Sequence, residues 1–217
     1  GVVLAKVSAD GKTGMMIALN CETDFVAKNA DFVSLGYSIL DVAMKSNPAD
    51  LEALKNLNLD GLKVSEKVTE RSGITGEKFE LSYFAKIEAP FVQPYIHPGN
   101  KLATLVGFNK AGMDIQVYKD VAMQVAAMNP VSLDKEDVPE KILTQELEIG
   151  REQARREGKP EEMIEKIAQG KLNKFFKEST LLNQEFVKDN KLTIKQYLQG
   201  INKDLTATGF LRFTLNA

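Results

Sequence analysis

Tryptophan is absent from the chain, and cysteine and histidine occur once each, as Cys21 and His97. A lone thiol builds no disulfide framework, and zinc or iron–sulfur sites need three or four thiolate or imidazole ligands, so neither a metal nor any other cofactor is expected. A reducing, intracellular setting fits such cysteine usage. The 28 Lys and Arg against 30 Asp and Glu leave a formal charge of −2, which removes the electrostatic drive toward nucleic acid or an anionic membrane. Without Trp, and without aromatics interleaved with basic residues, there is no stacking platform for single strands. No apolar run approaches the roughly 18 residues that span a bilayer, and no apolar h-region marks a signal peptide, so a cytoplasmic protein is expected. The opening run Gly1-Val-Val-Leu-Ala-Lys-Val7 is strand-like and lacks methionine, which predicts a start inside a longer protein.

Covalent chemistry is equally thin. A nucleophile of the serine or cysteine kind needs a base beside it, and His97 is the sole imidazole. It lies in His97-Pro98-Gly99, a turn between two strand-like runs, where a structural histidine is the common outcome. Cys21 follows an apolar run and reads as a small buried hydrophobe rather than a reactive thiol. The carboxylates fall mostly on amphipathic segments, as solvated helix faces. No catalytic residue is assigned, and the weight of function moves from chemistry to contact.

The segments that are present alternate between two periods. Val2–Val7 and Met15–Leu19, separated by Ser8–Thr13 with the turn dipeptide Asp10-Gly11, predict a β-hairpin. Gly11-Lys12-Thr13 imitates the end of a phosphate loop, but the spacing and the strand that follows exclude it. Phe32, Leu35, Ile39, Leu40 and Ala43 recur at helical steps up to Ser46-Asn-Pro48. Two short helices are expected over 49–72, the second carrying Leu62, Val64 and Val68. Residues 78–88, 91–96 and 102–108 predict three successive strands in a meander. Helical spacing returns over 113–128 and stops at Asn129-Pro130. The two Asn-Pro stops, each after a helix containing Asp-Val-Ala-Met, suggest an internal repeat. Leu192–Leu198 reads as a short helix, and Phe210–Leu215 as a strand completing the second sheet.

Residues 138–179 differ in character. Leu143, Leu147, Gly150 and Ala154 form one stripe, and Ile164, Ala168, Leu172 and Phe175 another after the break at Glu157-Gly-Lys-Pro160. At 1.5 Å per residue, two helices of about 25 Å fold back as an antiparallel hairpin. Nine acidic and nine basic residues between Glu140 and Glu178 make this arm neutral, a lever for protein contacts rather than for nucleic acid. The expected fold class is therefore α+β: two related subdomains, each an antiparallel sheet of about three strands with covering helices, plus a helical-hairpin, coiled-coil insertion. The expected segments are 1–76, then 77–137 with 180–217, and the insertion 138–179.

Between the hairpin and the first long helix stands Asn20-Cys-Glu-Thr-Asp-Phe-Val-Ala-Lys-Asn29. A helix start normally spends its first turn on capping and solvated polar groups, so Phe25 there needs a pocket, either in a partner or by folding back onto Phe32 or Ala30 as a staple.

That corner resembles the Thr-Asp-Phe-Val signature of the elongation factor Ts family. Tyr95-Ile-His-Pro-Gly99, Val121-Ala-Met-Gln-Val-Ala-Ala127, Gly158-Lys-Pro160, Leu181-Leu-Asn-Gln-Glu-Phe-Val187 and Gly209-Phe-Leu-Arg-Phe213 are similar to the same family in its order. The resemblance implies a guanine-nucleotide exchange factor of translation, with no covalent chemistry and with elongation factor Tu as partner. It implies that Thr23, Asp24, Phe25 and Val26 enter the partner near its magnesium and phosphate site. Gln124, standing where members often carry histidine, and His97 are further partner-contact candidates. The family's small N-terminal helical domain has no match in these residues, and a homodimer through the core or hairpin stays open. A scaffold that binds through its hairpin without promoting exchange is the alternative reading.

Overall fold

The structure is a computed structural model and describes residues 1–216. In chain order the elements are β1 (Val2–Val7), β2 (Thr13–Asn20), α1 (Asp24–Ala27), α2 (Ala30–Ser46), α3 (Leu51–Lys55), β3 (Asn58–Leu59), β4 (Leu62–Lys63), α4 (Val64–Thr75), β5 (Glu80–Glu88), β6 (Phe91–Ile96), β7 (Leu102–Phe108) and α5 (Ile115–Met128). They continue with α6 (Glu140–Arg156), α7 (Glu161–Ser179), β8 (Glu185–Phe186), β9 (Asp189–Thr193), α8 (Ile194–Ile201) and β10 (Ala207–Thr214). The chain divides into two units, residues 1–126 with 208–217, and residues 127–207.

The first unit is built on two antiparallel three-stranded sheets, ordered β1-β2-β5 and β10-β7-β6. Along β1 and β2, Val2, Leu4, Met15, Ile17 and Leu19 face the helices and pack with Ile39, Leu40 and Leu54. The intervening Val3, Ala5, Met16 and Ala18 face the other sheet and pack with Val92, Ala103 and Leu105. Burial on both faces is why these strands read as continuous apolar runs rather than as alternation. The sheets approach closely at Gly14, where an added Cβ would meet Val92 Cγ1 at 2.8 Å and Leu105 Cδ2 at 3.0 Å. On the far face of the second sheet, α5 is tied by the Thr104 hydroxyl donating to the Ala122 carbonyl at 2.9 Å. Tyr118 is clamped there between the rings of Phe91 and Phe108, with centroids 4.1 and 4.8 Å away.

The three runs at 78–88, 91–96 and 102–108 are strands, but they do not form a meander. β5 leaves its neighbours and pairs with β2 across Thr13 to Asn20, so the first sheet takes a strand from beyond residue 76. The reason lies in the two-residue link Ala89-Pro90. Two-residue hairpins favour turns with positive φ, and proline holds φ near −65°. The link instead crosses between sheets, held where Ala89 N–H donates to the Lys12 carbonyl at 3.0 Å and Val92 N–H to that of Gly11 at 2.7 Å. The expected last strand does complete the second sheet, as β10, which begins three residues earlier than expected and ends at Thr214, one residue short of Leu215. Two helix starts move inward by about two residues. Leu62-Lys63 is the β4 strand, ended where Glu66 accepts from Lys63 N–H at 2.8 Å. Leu192 lies in β9, and Thr193 and Gln196 exchange capping hydrogen bonds of 2.9 and 3.1 Å at the start of α8. The paired stops are alike in detail: Asn47 and Asn129 both end their helices in the left-handed region, at φ 47° and 44°, each followed by a buried proline.

The second unit carries α6 and α7 as an antiparallel pair. Gly150, Ala154, Ile164, Ala168 and Leu172 are buried between them, while Leu143, Leu147 and Phe175 are half-buried. An added Cβ on Gly150 would sit 3.1 Å from Ala168 Cα, so the backbones nearly touch. Arg151 grips Glu165 with two hydrogen bonds of 2.9 and 3.0 Å. At the base of the pair, Leu181 and Leu182 N–H donate to the carbonyls of Ser132 and Leu133, both at 3.0 Å. Phe186 stacks on Tyr197 with centroids 4.3 Å apart.

Candidate partner-binding site

Thr23, Asp24, Phe25 and Val26 form one compact turn. Thr23 is the N-cap of α1, its hydroxyl accepting from Val26 N–H at 3.3 Å, and Asp24 occupies the first turn, where a carboxylate suits the helix dipole. The turn has two sides. Val26 is partly buried and Ala27 buried against the first core, whereas the Phe25 ring is 90% exposed. It does not fold back as a staple: Phe32 is buried and meets Phe79 edge-on at 4.9 Å. A turn anchored by its small apolar residues and presenting its ring to solvent is built for contact outside the chain.

Two distant residues without a local sequence signal, Glu77 and Lys101, reach this turn. In the β2–β5 register Asn20 stands opposite Glu80. Continued past the ends of both strands, the same register sets Glu22 against Lys78 and Thr23 against Glu77, and there carboxylates replace the backbone ladder. One Glu77 oxygen accepts from the backbone N–H groups of Glu22 and Thr23, both at 3.1 Å, and the other accepts from the Thr23 hydroxyl at 2.5 Å. Glu22 in return accepts from Lys78 N–H at 2.9 Å. The Thr23 hydroxyl, with its backbone N–H and that of Glu22, holds the Glu77 carboxyl below its ordinary range.

On the opposite side Lys101 donates to Asp24 at 3.1 Å and to the Gly1 carbonyl at 3.0 Å. That hydrogen bond, and then the charge, lowers the Asp24 pKa. Lys101 stands just before β7 and brings the β6–β7 turn to the corner. His97, in that turn, is exposed and its Nδ1 lies 2.8 Å from the Tyr95 hydroxyl. The turn is also fastened to β1, where Val3 N–H donates to the Asn100 carbonyl at 2.7 Å. Gln124 is fully buried in α5, beside the exposed Met123. Among the described residues no group of three or more His, Cys, Asp or Glu side chains is placed to hold a metal ion, and no helix is long and apolar enough to cross a membrane.

The comparisons with known proteins converge on one family. A family model described as elongation factor TS matches residues 22–217. The chain is 50% identical to elongation factor Ts of Azobacteroides pseudotrichonymphae over 97% of its own length and 77% of that protein's. It is 54% identical to elongation factor Ts of Porphyromonas gingivalis over 93% of its length and 74% of that protein's. Elongation factor Ts of Amoebophilus asiaticus is 53% identical over the whole chain and 79% of its own length. An exposed ring held on a braced turn, in a chain matched from end to end by translation elongation factors, has one reading: the protein belongs to the elongation factor Ts family.

Proposed function

We propose that the chain is a guanine-nucleotide exchange factor for elongation factor Tu, acting through contact and not through covalent chemistry. The observation that carries the reading is the 90% exposure of Phe25 on a turn whose other side chains are anchored. Placed in a partner pocket near the magnesium and phosphate groups, the ring gains about 1.5 to 3 kcal/mol by leaving water. Exchange follows if the partner accommodates the ring only by giving up contacts to GDP. By linkage, nucleotide and exchange factor then weaken each other by the same ratio. Each tenfold in that ratio needs about 1.4 kcal/mol of differential contact, so a large effect draws on more than one ring.

Further contact is assigned to exposed His97, whose turn is tied to the same corner through Lys101. Gln124, buried in α5, contributes by holding the helix that presents Met123. The neutral helical pair of residues 140–179 is a protein-binding arm in this reading. A cytoplasmic location, no direct contact with nucleic acid, and a homodimer interface on the core or the arm belong to the same proposal.

The test is release of a fluorescent GDP from purified elongation factor Tu. A substoichiometric amount of the chain is expected to accelerate it at low micromolar partner. Binding to the partner without acceleration would favour a scaffold role for the helical arm and sink the exchange reading.

A further inference from the structure

We propose that Glu77 is the positioning residue of the partner-binding turn: its carboxylate, accepting from Glu22 N–H, Thr23 N–H and the Thr23 hydroxyl, holds Phe25 in its presented orientation before any partner arrives. The inference rests on the reading of Phe25 given above and adds a residue that lies 54 positions away from Thr23 in the chain.

A four-residue helix is too short to hold itself, because nucleation fixes several dihedrals for a single hydrogen bond. Something outside α1 must therefore supply its order. Lys101 is a poor candidate, since its ion pair with Asp24 joins a partly exposed ammonium to a 74% exposed carboxylate, and such pairs contribute little. Glu77 makes three charge-assisted contacts to two adjacent residues, a geometry that restrains direction as well as distance. It is itself directed by its backbone. α4 ends at Gly76 in the left-handed region at φ 74°, and the Ser72 hydroxyl donates to the Glu77 carbonyl at 2.6 Å. The glutamate is thus set by the end of one helix and sets the beginning of another.

A residue that acts by pre-ordering has a distinct kinetic signature. If only a fraction of molecules hold the binding-competent turn, the apparent dissociation constant rises by the inverse of that fraction, while the complex once formed is unchanged. For Glu77→Ala we expect the half-saturating concentration in the GDP-release assay to rise about tenfold, with the saturating rate within about twofold of the parent. In a Phe25→Ala background the same substitution should add less than about twofold, because there is no ring left to place.

Two conservative variants separate geometry from charge. Glu77→Gln keeps an oxygen for both backbone N–H groups and should recover most of the lost affinity. Glu77→Asp keeps the charge, loses one methylene of reach, and should behave as Glu77→Ala. Glutamine failing while aspartate succeeds would overturn the positional claim in favour of electrostatics. A Glu77→Ala variant equal to the parent, or one with its full effect persisting without Phe25, would overturn it outright. Should Phe25→Ala itself leave exchange intact, the fault lies in the proposed use of the ring and is seen in that single variant alone.

Discussion

Replacing Phe25 by alanine separates the two things a phenylalanine can do, pack within its own chain or pack within another. With 90% of the residue in solvent, the substitution removes almost no intramolecular contact. Surface changes of this kind stay within about 0.5 kcal/mol, and alanine is the better helix former. For a chain of this length that is a shift of no more than about 2 °C in Tm. The cost appears on the partner. Losing about 1.5 to 3 kcal/mol of ring burial lowers exchange efficiency about ten- to a hundredfold, at 1.4 kcal/mol per tenfold. Differential scanning calorimetry of the free chain and fluorescent GDP release at several chain concentrations read the two quantities separately. A Tm lowered by 6 °C or more, roughly 2 kcal/mol, would mean that the ring packs on its own chain, and the argument from exposure fails. An unchanged Tm with unchanged exchange would leave the ring without the role assigned to it.

The remaining expectations test the scaffold around the site. Tyr118→Phe deprives the Lys110 carbonyl and Met113 N–H of a buried hydroxyl at 2.7 and 3.2 Å, and should lower stability by about 1 to 3 kcal/mol in urea titration with both neighbouring rings still packed. Gly150→Val forces a side chain against Ala168 backbone and should lower the stability of the helical pair by about 1 to 3 kcal/mol, seen as an earlier helical transition in circular dichroism. Glu77 and Asp24 both titrate below their ordinary values, so their contribution is complete above about pH 4 to 5 and is lost as pH falls through the lower folded values. The Thr23 amide resonance is therefore expected to hold its position from pH 7 to about 5 and to move only at lower pH. Movement around pH 6 to 7 would contradict the assigned contacts.

Much of the architecture is legible along the chain because it rests on local rules. Asp10-Gly11 specifies its turn, Asn-Pro stops α2 and α5, and the Gly150, Ala154 and Ala168 stripes announce the paired helices, each through residues within a few positions of one another. Phe25 is legible for the same reason, as a ring in a position that helix starts reserve for polar groups. The misplaced strand is instructive in the opposite sense. The alternation in β5 identifies a strand but carries no information about which edge it joins. The signal that decided it, Pro90 in a two-residue link, is a constraint on turn geometry and not on strand pattern.

Sequence by itself determined the types of the longer elements, the placing of a phenylalanine at a helix start, and the family; the exposure of that ring came from the structure. Tertiary structure alone decided which distant residues meet the turn that carries it. Glu77 and Lys101 lie 52 and 76 positions from Phe25 and look, in sequence, like ordinary solvated charges after a helix and before a strand. They become parts of the site because β2 and β5 pair in one register and because the β6–β7 turn is fastened to β1. Strand pairing brings distant residues together according to the whole core, and no window of neighbouring residues contains that information.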